Sequence, residues 1–198
     1  VRVTLFDYGA GNIHSLAKAI ARAGIQPTVE PDPLRALDTD LLVLPGVGAF
    51  AQAAGRIGPA RDALRAAIEA GLPCLGICLG MQLLFDDSEE GGGPGLGVFS
   101  GRVTRLRATE VPQIGWNAIE PAGDRIFERV GLREAYYANS YVCRPVDERV
   151  VIGWSEHQGD RYPAAVRRDA VLGVQFHPEK SSEPGVRLIA DYLGSVRR

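Results

Sequence analysis

The sequence predicts an α/β fold, a mostly parallel central sheet with helices on both faces, extended by antiparallel strands. Three observations carry this expectation. Short β-like runs recur at residues 1–6, 28–29, 41–44 and 72–77, and those at 41–44 and 72–77 are apolar without alternation, the pattern of strands buried on both faces. Helical patterns separate them: residues 13–23 repeat apolar side chains every three to four positions, with Asn12 as candidate cap and Gly24 as stop, and the alanine-rich stretch 59–70 is closed by Gly71. Beyond residue 101 the pattern changes to β-type segments joined by short turns, at 101–106, 135–143, 150–156, 162–167 and 171–176, before an amphipathic helix over 183–196. The last two strands, separated by Arg168-Asp169-Ala170, are expected to form a hairpin. Residues 86–97, acidic and then glycine-rich, are expected to be an exposed loop.

With 198 residues, 45% of them hydrophobic, and no long linker, residues 1–198 are expected to form one domain around one sizeable core. The net charge of −2, with both signs interleaved, offers no basic stripe for a phosphate backbone and argues against a nucleic-acid partner. No apolar run approaches the ~20 residues that cross a bilayer. Residues 1–6 run straight into Asp7, so neither a signal peptide nor a membrane anchor is expected, and the expected location is cytoplasmic. Three cysteines are an odd count, clustered only as Cys74-x3-Cys78, and His14, His157 and His177 do not complete a zinc site. No metal is expected, and Cys74 and Cys143 are most simply small core residues.

The most informative segment is Gly76-Ile77-Cys78-Leu79-Gly80, between the apolar run 72–75 and the helix-like Met81-Gln82-Leu83-Leu84-Phe85. Strand, sharp turn and helix in that order make a nucleophile elbow carrying a thiol. The flanking glycines are expected to let the chain turn tightly, and a helix N-terminus behind the sulfur favours thiolate. Near the C-terminus, Gln175-Phe176-His177-Pro178-Glu179-Lys180 offers the base. Pro178 biases the segment toward extended geometry, in which His177 and Glu179 project to one side and the carboxylate can orient the imidazole. The oxyanion of an acyl-transfer reaction needs donors, for which the backbone of Leu79 and the turn Pro45-Gly46-Val47-Gly48 are the candidates. With the strand ends placed as above, that turn, Cys78 and Asp7-Tyr8-Gly9-Ala10-Gly11-Asn12 all gather at the carboxyl edge of the sheet. The stretch from Gly9 to His14, with Glu30 about twenty residues on, partly matches a dinucleotide fingerprint. His14 stands where the fingerprint needs a small residue, so no cofactor is expected.

Taken together, Gly76-Ile77-Cys78-Leu79-Gly80-Met81-Gln82, Pro45-Gly46-Val47-Gly48 and Gln175-Phe176-His177-Pro178-Glu179 resemble the three signatures of class I, triad-type glutamine amidotransferases. The resemblance covers nearly the whole chain and implies a flavodoxin-like α/β fold. Asp7-Tyr8-Gly9-Ala10-Gly11-Asn12, Ile114-Gly115-Trp116-Asn117, Ser140-Tyr141 and Lys180 further resemble the glutaminase subunits of imidazole glycerol phosphate synthases, a group of histidine biosynthesis. That subfamily usually has His where this chain has Gln113 and Asn139, which hydrogen-bond but cannot carry charge.

The resemblance implies hydrolysis of L-glutamine to glutamate and ammonia through a thioester on Cys78, with His177 as base and acid and Glu179 orienting it. Leu79, Gly46 and Val47 would serve the oxyanion; Gly48, Gln82, Ser140 and Tyr141 would bind glutamine. It implies a heterodimer with a (β/α)8-barrel cyclase that uses the ammonia, with Asn12, Trp116 and Lys180 at the contact. It also implies that the Gly46 to Gly48 turn shifts to its active state when the cyclase is occupied. The rival expectations are a glutaminase subunit serving pyridoxal phosphate or anthranilate synthesis, a free-standing γ-glutamyl hydrolase, and a binding module that keeps the fold without the reaction.

Overall fold

The computed structural model describes residues 1–9, 13–46 and 48–196. Four strands, β1 (Val3–Phe6), β3 (Leu41–Leu44), β4 (Cys74–Ile77) and β13 (Val171–Val174), are buried at every position. Together with β2 (Thr28–Glu30) on the edge they form the parallel part of an eight-stranded sheet, in the order β2-β1-β3-β4-β13. This is the flavodoxin-like doubly wound order. Along each inner strand successive apolar side chains go to opposite faces. Val3, Leu5, Leu41, Val43, Leu75 and Ile77 join one core, against α1 (His14–Arg22) and the C-terminal helix α6 (Ser182–Val196). Phe6, Leu42, Leu44 and Cys74 join the other, against α2 (Phe50–Ile57), α3 (Arg61–Glu69) and α4 (Leu79–Leu83). Burying each large apolar side chain contributes roughly 1.5–3 kcal/mol, so two-sided burial explains why these runs lack alternation.

The sheet continues antiparallel through β12 (Asp160–Arg168), β11 (Val151–His157) and the short β8 (Glu120–Pro121). The β12–β13 hairpin turns at Asp169, a non-glycine residue with φ +51°. Two small sheets flank it: β5 (Asp87–Ser88), β6 (Gly101–Arg105) and β10 (Tyr141–Pro145), then β7 (Gln113–Ala118) with β9 (Glu134–Asn139).

The structure departs from the sequence-based expectation in four places. The segment 135–143 is not one strand. It divides at Ser140 because β9 pairs with β7 while β10 pairs with β6, and the Ser140 carbonyl accepts from the Leu106 N–H at 2.9 Å. The helix placed over 59–70 starts at Arg61, behind a 3₁₀ turn at Gly58–Ala60, and α2 before it is hidden in the sequence by the glycines around it. The loop 86–97 is exposed only in part: Ser88 and Leu96 are buried, and the Glu90 carboxylate caps α2 by accepting from the Phe50 N–H at 2.9 Å. Pro178–Lys180 is a 3₁₀ turn, not an extended segment. β7, β8 and the short α5 (Ile126–Val130) carry too little periodicity to be seen in the sequence. The proposed cap Asn12 lies outside the described residues; at the N-cap position of α1 stands Ile13, with no side-chain capping bond.

Candidate active site

Strands β3, β4 and β13 are neighbours in the sheet, with Leu44 opposite Gly76 and Ile77 opposite Val174. Their carboxyl ends therefore deliver Pro45, Cys78 and Gln175-Phe176-His177 to one place. Cys78 has φ +47° and ψ −104°, a conformation that costs a non-glycine residue about 1–3 kcal/mol. It is held there from both sides: its N–H donates to the Val174 carbonyl at 2.7 Å, and its carbonyl accepts from the Gln82 N–H at 3.1 Å. The glycines around it serve close approach. A Cβ at Gly76 would lie 2.7 Å from the Gly80 carbonyl oxygen, and one at Gly80 would lie 2.0 Å from the Leu44 oxygen. The strained dihedral belongs to the nucleophile itself.

The His177 N–H donates to the Tyr136 carbonyl at 2.9 Å, and its own carbonyl accepts from the Ser181 hydroxyl at 2.7 Å. The 3₁₀ turn through Pro178 brings Glu179 back, so that Nδ1 of His177 meets Oε1 at 2.9 Å. Both side chains are more than nine-tenths buried. The imidazole lies beside the Cys78 side chain, close enough for the sulfur to act on its proton. Sulfur, imidazole and carboxylate thus meet at one place.

Burial disfavours the imidazolium of His177, but hydrogen bonds to the Cys78 sulfur and to Glu179, with the negative charge of both, outweigh burial and push the ring up to about 10. A histidine in the unfolded chain titrates near ~6.5. The bound proton therefore contributes stability that is complete below that pH and is lost as pH rises toward about 10. In urea titrations between about pH 7 and pH 10, wild type is expected to lose stability more steeply than His177→Gln, which has no such proton. Parallel declines in the two proteins would contradict this charge assignment. Burial pushes the Cys74 thiol up to about 12 and raises that of Cys143 as well, so both are inert core residues.

A cavity of about 330 Å³ opens in front of the sulfur. Gly46, Gly48, Leu79, Gln82, Ser140 and Tyr141, all expected from the sequence to serve oxyanion or glutamine, lie on its wall with Cys78 and His177. Val47 lies outside the described residues. Gly46 is pressed against the reacting groups: a Cβ there would be 3.1 Å from both Cys78 Cβ and His177 Cε1. The preceding peptide is tethered from β1, where the fully buried Tyr8 hydroxyl donates to the Pro45 carbonyl.

Of the residues chosen as partner contacts, Trp116 is 54% exposed and packs edge-on against Tyr136 at 6.4 Å, with the Lys180 ammonium 5.8 Å from the other ring's centre. Ile114, on the same face of β7, is exposed too. This aromatic and cationic patch adjoins the cavity, whose wall includes Lys180. Asn12 lies outside the described residues.

Sequence reasoning gave no site role to three residues that the structure places here. Glu90 and Asn139 line the cavity, and the Asn139 Oδ1 is buried with no hydrogen-bond partner among the described residues. Gln175 is fully buried and donates to the Cys78 sulfur at 3.5 Å. Glu90 left no signal, whereas Gln175 stands two residues before the histidine and Asn139 beside the Ser140-Tyr141 pair. Gln113 and Asn139 face each other across β7 and β9; the Gln113 Oε1 accepts from the Tyr162 hydroxyl at 2.6 Å.

A thiol on a strand-to-helix elbow, beside a buried histidine–carboxylate pair on a flavodoxin-like sheet, is the arrangement that acyl transfer through a thioester requires. The family described as "Glutamine amidotransferase class-I" matches residues 4–193. The chain is 39% identical to the imidazole glycerol phosphate synthase subunit HisH of Leifsonia xyli, over 98% of both chains. It is 43% identical to HisH of Symbiobacterium thermophilum, over 96% of this chain and 92% of that one, and 42% identical to a HisH of Thermus thermophilus, over 96% of both. Among solved structures, one described as a glutamine amidotransferase superposes with TM-score 0.76 at 22% identity, covering 98% of this chain and all of the other. The PurLQS structure from Thermotoga maritima superposes with TM-score 0.73 at 18% identity, over 98% of each chain. The chain belongs to the class I glutamine amidotransferases, in the group formed by the HisH subunits of imidazole glycerol phosphate synthase.

Proposed function

We propose that Cys78, His177 and Glu179 are the triad of a glutaminase subunit that hydrolyses L-glutamine and hands ammonia to a cyclase in histidine biosynthesis. The reading rests above all on one observation, the buried His177–Glu179 pair, with His177 on the same cavity wall as a sulfur held at positive φ. The sulfur attacks the side-chain amide carbon of glutamine, and the C=O π electrons move onto oxygen. Leu79 and the Gly46–Val47 part of the turn supply the donors for that oxyanion. His177, which holds its proton firmly, gives it to the leaving nitrogen, and the C–N bond breaks to leave a thioester and ammonia. It then takes a proton from water as the water's oxygen attacks the thioester. Glutamate leaves and the sulfur regains its electron pair.

Gly48, Gln82, Ser140 and Tyr141 bind the substrate's polar groups, and Glu90 and the unpartnered Asn139 oxygen are acceptors for its ammonium. In water at neutral pH ammonia is mostly protonated and has no lone pair to attack with, so it must pass directly to its acceptor. The acceptor is a (β/α)8-barrel cyclase that docks over Trp116 and Lys180 and contacts Asn12. No helix among the described residues is long and apolar enough to cross a membrane. We assign this chain no nucleic-acid or membrane partner and a cytoplasmic location.

Glutamate release with and without the cyclase and its ribotide ligand tests this reading. Release is expected to be slow for the free subunit and to rise by about 10²-fold or more in the occupied complex, the effect of completing a site whose donors are otherwise misplaced. Full-rate release without a partner would point to a free-standing hydrolase. Stimulation by a different synthase would reassign the subunit.

A further inference from the structure

The triad leaves one buried polar side chain at the nucleophile without a role. Gln175 is fully buried at the end of β13, its backbone N–H fixed to the Ala164 carbonyl of β12 at 2.8 Å. An amide so placed costs free energy unless its polar atoms are paired. Its Nε2 donates to the Cys78 sulfur at 3.5 Å, and its Oε1 accepts from the Gln82 Nε2 at 3.3 Å. Gln82 in turn donates to the Tyr141 carbonyl at 3.0 Å.

This chain of bonds determines which way each amide points. A backbone carbonyl can only accept, so the end of Gln82 facing Tyr141 is nitrogen. Its second hydrogen then faces Gln175, which must present oxygen there and nitrogen to the sulfur. The N–H donor on the sulfur is thereby dictated by a carbonyl of the cavity wall. His177 also acts on the sulfur, but it moves its proton during the reaction. An amide keeps its hydrogen, so Gln175 stabilises negative charge on sulfur at every step in which the sulfur carries it.

We propose that Gln175 is a second, permanent hydrogen-bond donor to the nucleophile, and that Gln82, a residue of the glutamine cavity, holds it in the donating orientation. The role rests on the reading of Cys78 as nucleophile, but its test needs neither glutamine nor cyclase. Gln175→Glu keeps the shape and the acceptor for Gln82 while replacing the donor with a carboxylate. Gln82→Leu leaves Gln175 in place but removes its orienting partner.

The test follows alkylation of the full chain by iodoacetamide at pH 7, with Cys78→Ala defining the background from Cys74 and Cys143. Gln175→Glu is expected to slow Cys78 alkylation about tenfold or more, the scale of one hydrogen bond to a charged acceptor. Gln82→Leu is expected to slow it by a smaller factor, roughly threefold, because it does not touch the sulfur. Urea midpoints measured in parallel and continued protection of Cys74 and Cys143 show that the fold is kept. Wild-type alkylation rates in a folded Gln175→Glu protein overturn the proposal. If that variant exposes the buried cysteines, Gln82→Leu decides, and an unchanged rate there overturns it equally. A chain that releases no glutamate in any complex but still shows both slowed alkylations refutes the proposed function and leaves this donor standing.

Discussion

Cys78→Ala is expected to lower glutamate release by the cyclase-bound subunit by roughly 10⁴-fold or more, the scale of losing a nucleophile from a triad. No neighbouring group can replace it. Cys74 and Cys143 are fully buried, with thiols that burial keeps protonated, and the amide of Gln175 beside the sulfur is not a nucleophile. A water activated by His177 would have to attack the amide itself, expelling ammonia without the thioester that divides the barrier. The variant separates chemistry from structure because alanine at φ +47° bears a strain similar to cysteine's. Cys78→Gly removes nucleophile and strain together. It is expected to be equally inactive yet more stable than Cys78→Ala by about 1 kcal/mol, read from urea midpoints. A Cys78→Ala complex that still releases glutamate at more than a few per cent of the wild-type rate would exclude the thioester route.

Much of the site was legible because its signals are local. The motif around Cys78 announces an elbow, and His177 and Glu179 pair across one residue whether the chain between them is extended or, as found, a 3₁₀ turn. The parallel strands were legible because burial on both faces leaves no polar residue to interrupt Leu41–Leu44 or Cys74–Ile77. What was hidden depends on contacts distant in sequence. Glu90 caps a helix that begins 40 residues earlier, and the bond from Gln175 to the sulfur spans 97 residues. Neither distance leaves a trace in local pattern. The segment 135–143 misled for a related reason: its composition suits a strand throughout, and only the separate partners β7 and β6 divide it at Ser140, which places that residue on the cavity wall. The flanking glycines were visible but their purpose was not. Local reasoning assigns them backbone freedom, whereas Gly76 and Gly80 stand where two segments of main chain touch and the positive φ falls on Cys78.

That distinction yields the largest expected effect on stability. Gly80 lies inside α4, in a conformation open to alanine, so the only obstacle to a side chain is space. A Cβ there would lie 2.0 Å from the Leu44 oxygen, 2.6 Å from its carbonyl carbon and 2.8 Å from its Cβ. These atoms belong to β3, a central strand paired on both sides, and cannot rotate away as the tip of a flexible side chain could. Gly80→Ala must therefore push α4 off the sheet by about an ångström or more, at a cost of about 3 kcal/mol or above. The same movement carries the backbone of Leu79 and the sulfur of Cys78, which begin that helix, away from His177 and the turn at Gly46. Misplacement on that scale is worth about 10²-fold in rate, so activity is expected to fall even where the variant remains folded. Gly55, inside α2, has nothing within 4 Å of the position a Cβ would take, and Gly55→Ala is expected to raise stability by roughly 0.5–1 kcal/mol with activity unchanged. Urea midpoints and glutamate release measured on the two variants side by side separate a glycine kept for space from one that merely occupies a helix. Equal stability of the two would mean that α4 does not press on β3 as closely as the 2.0 Å approach requires.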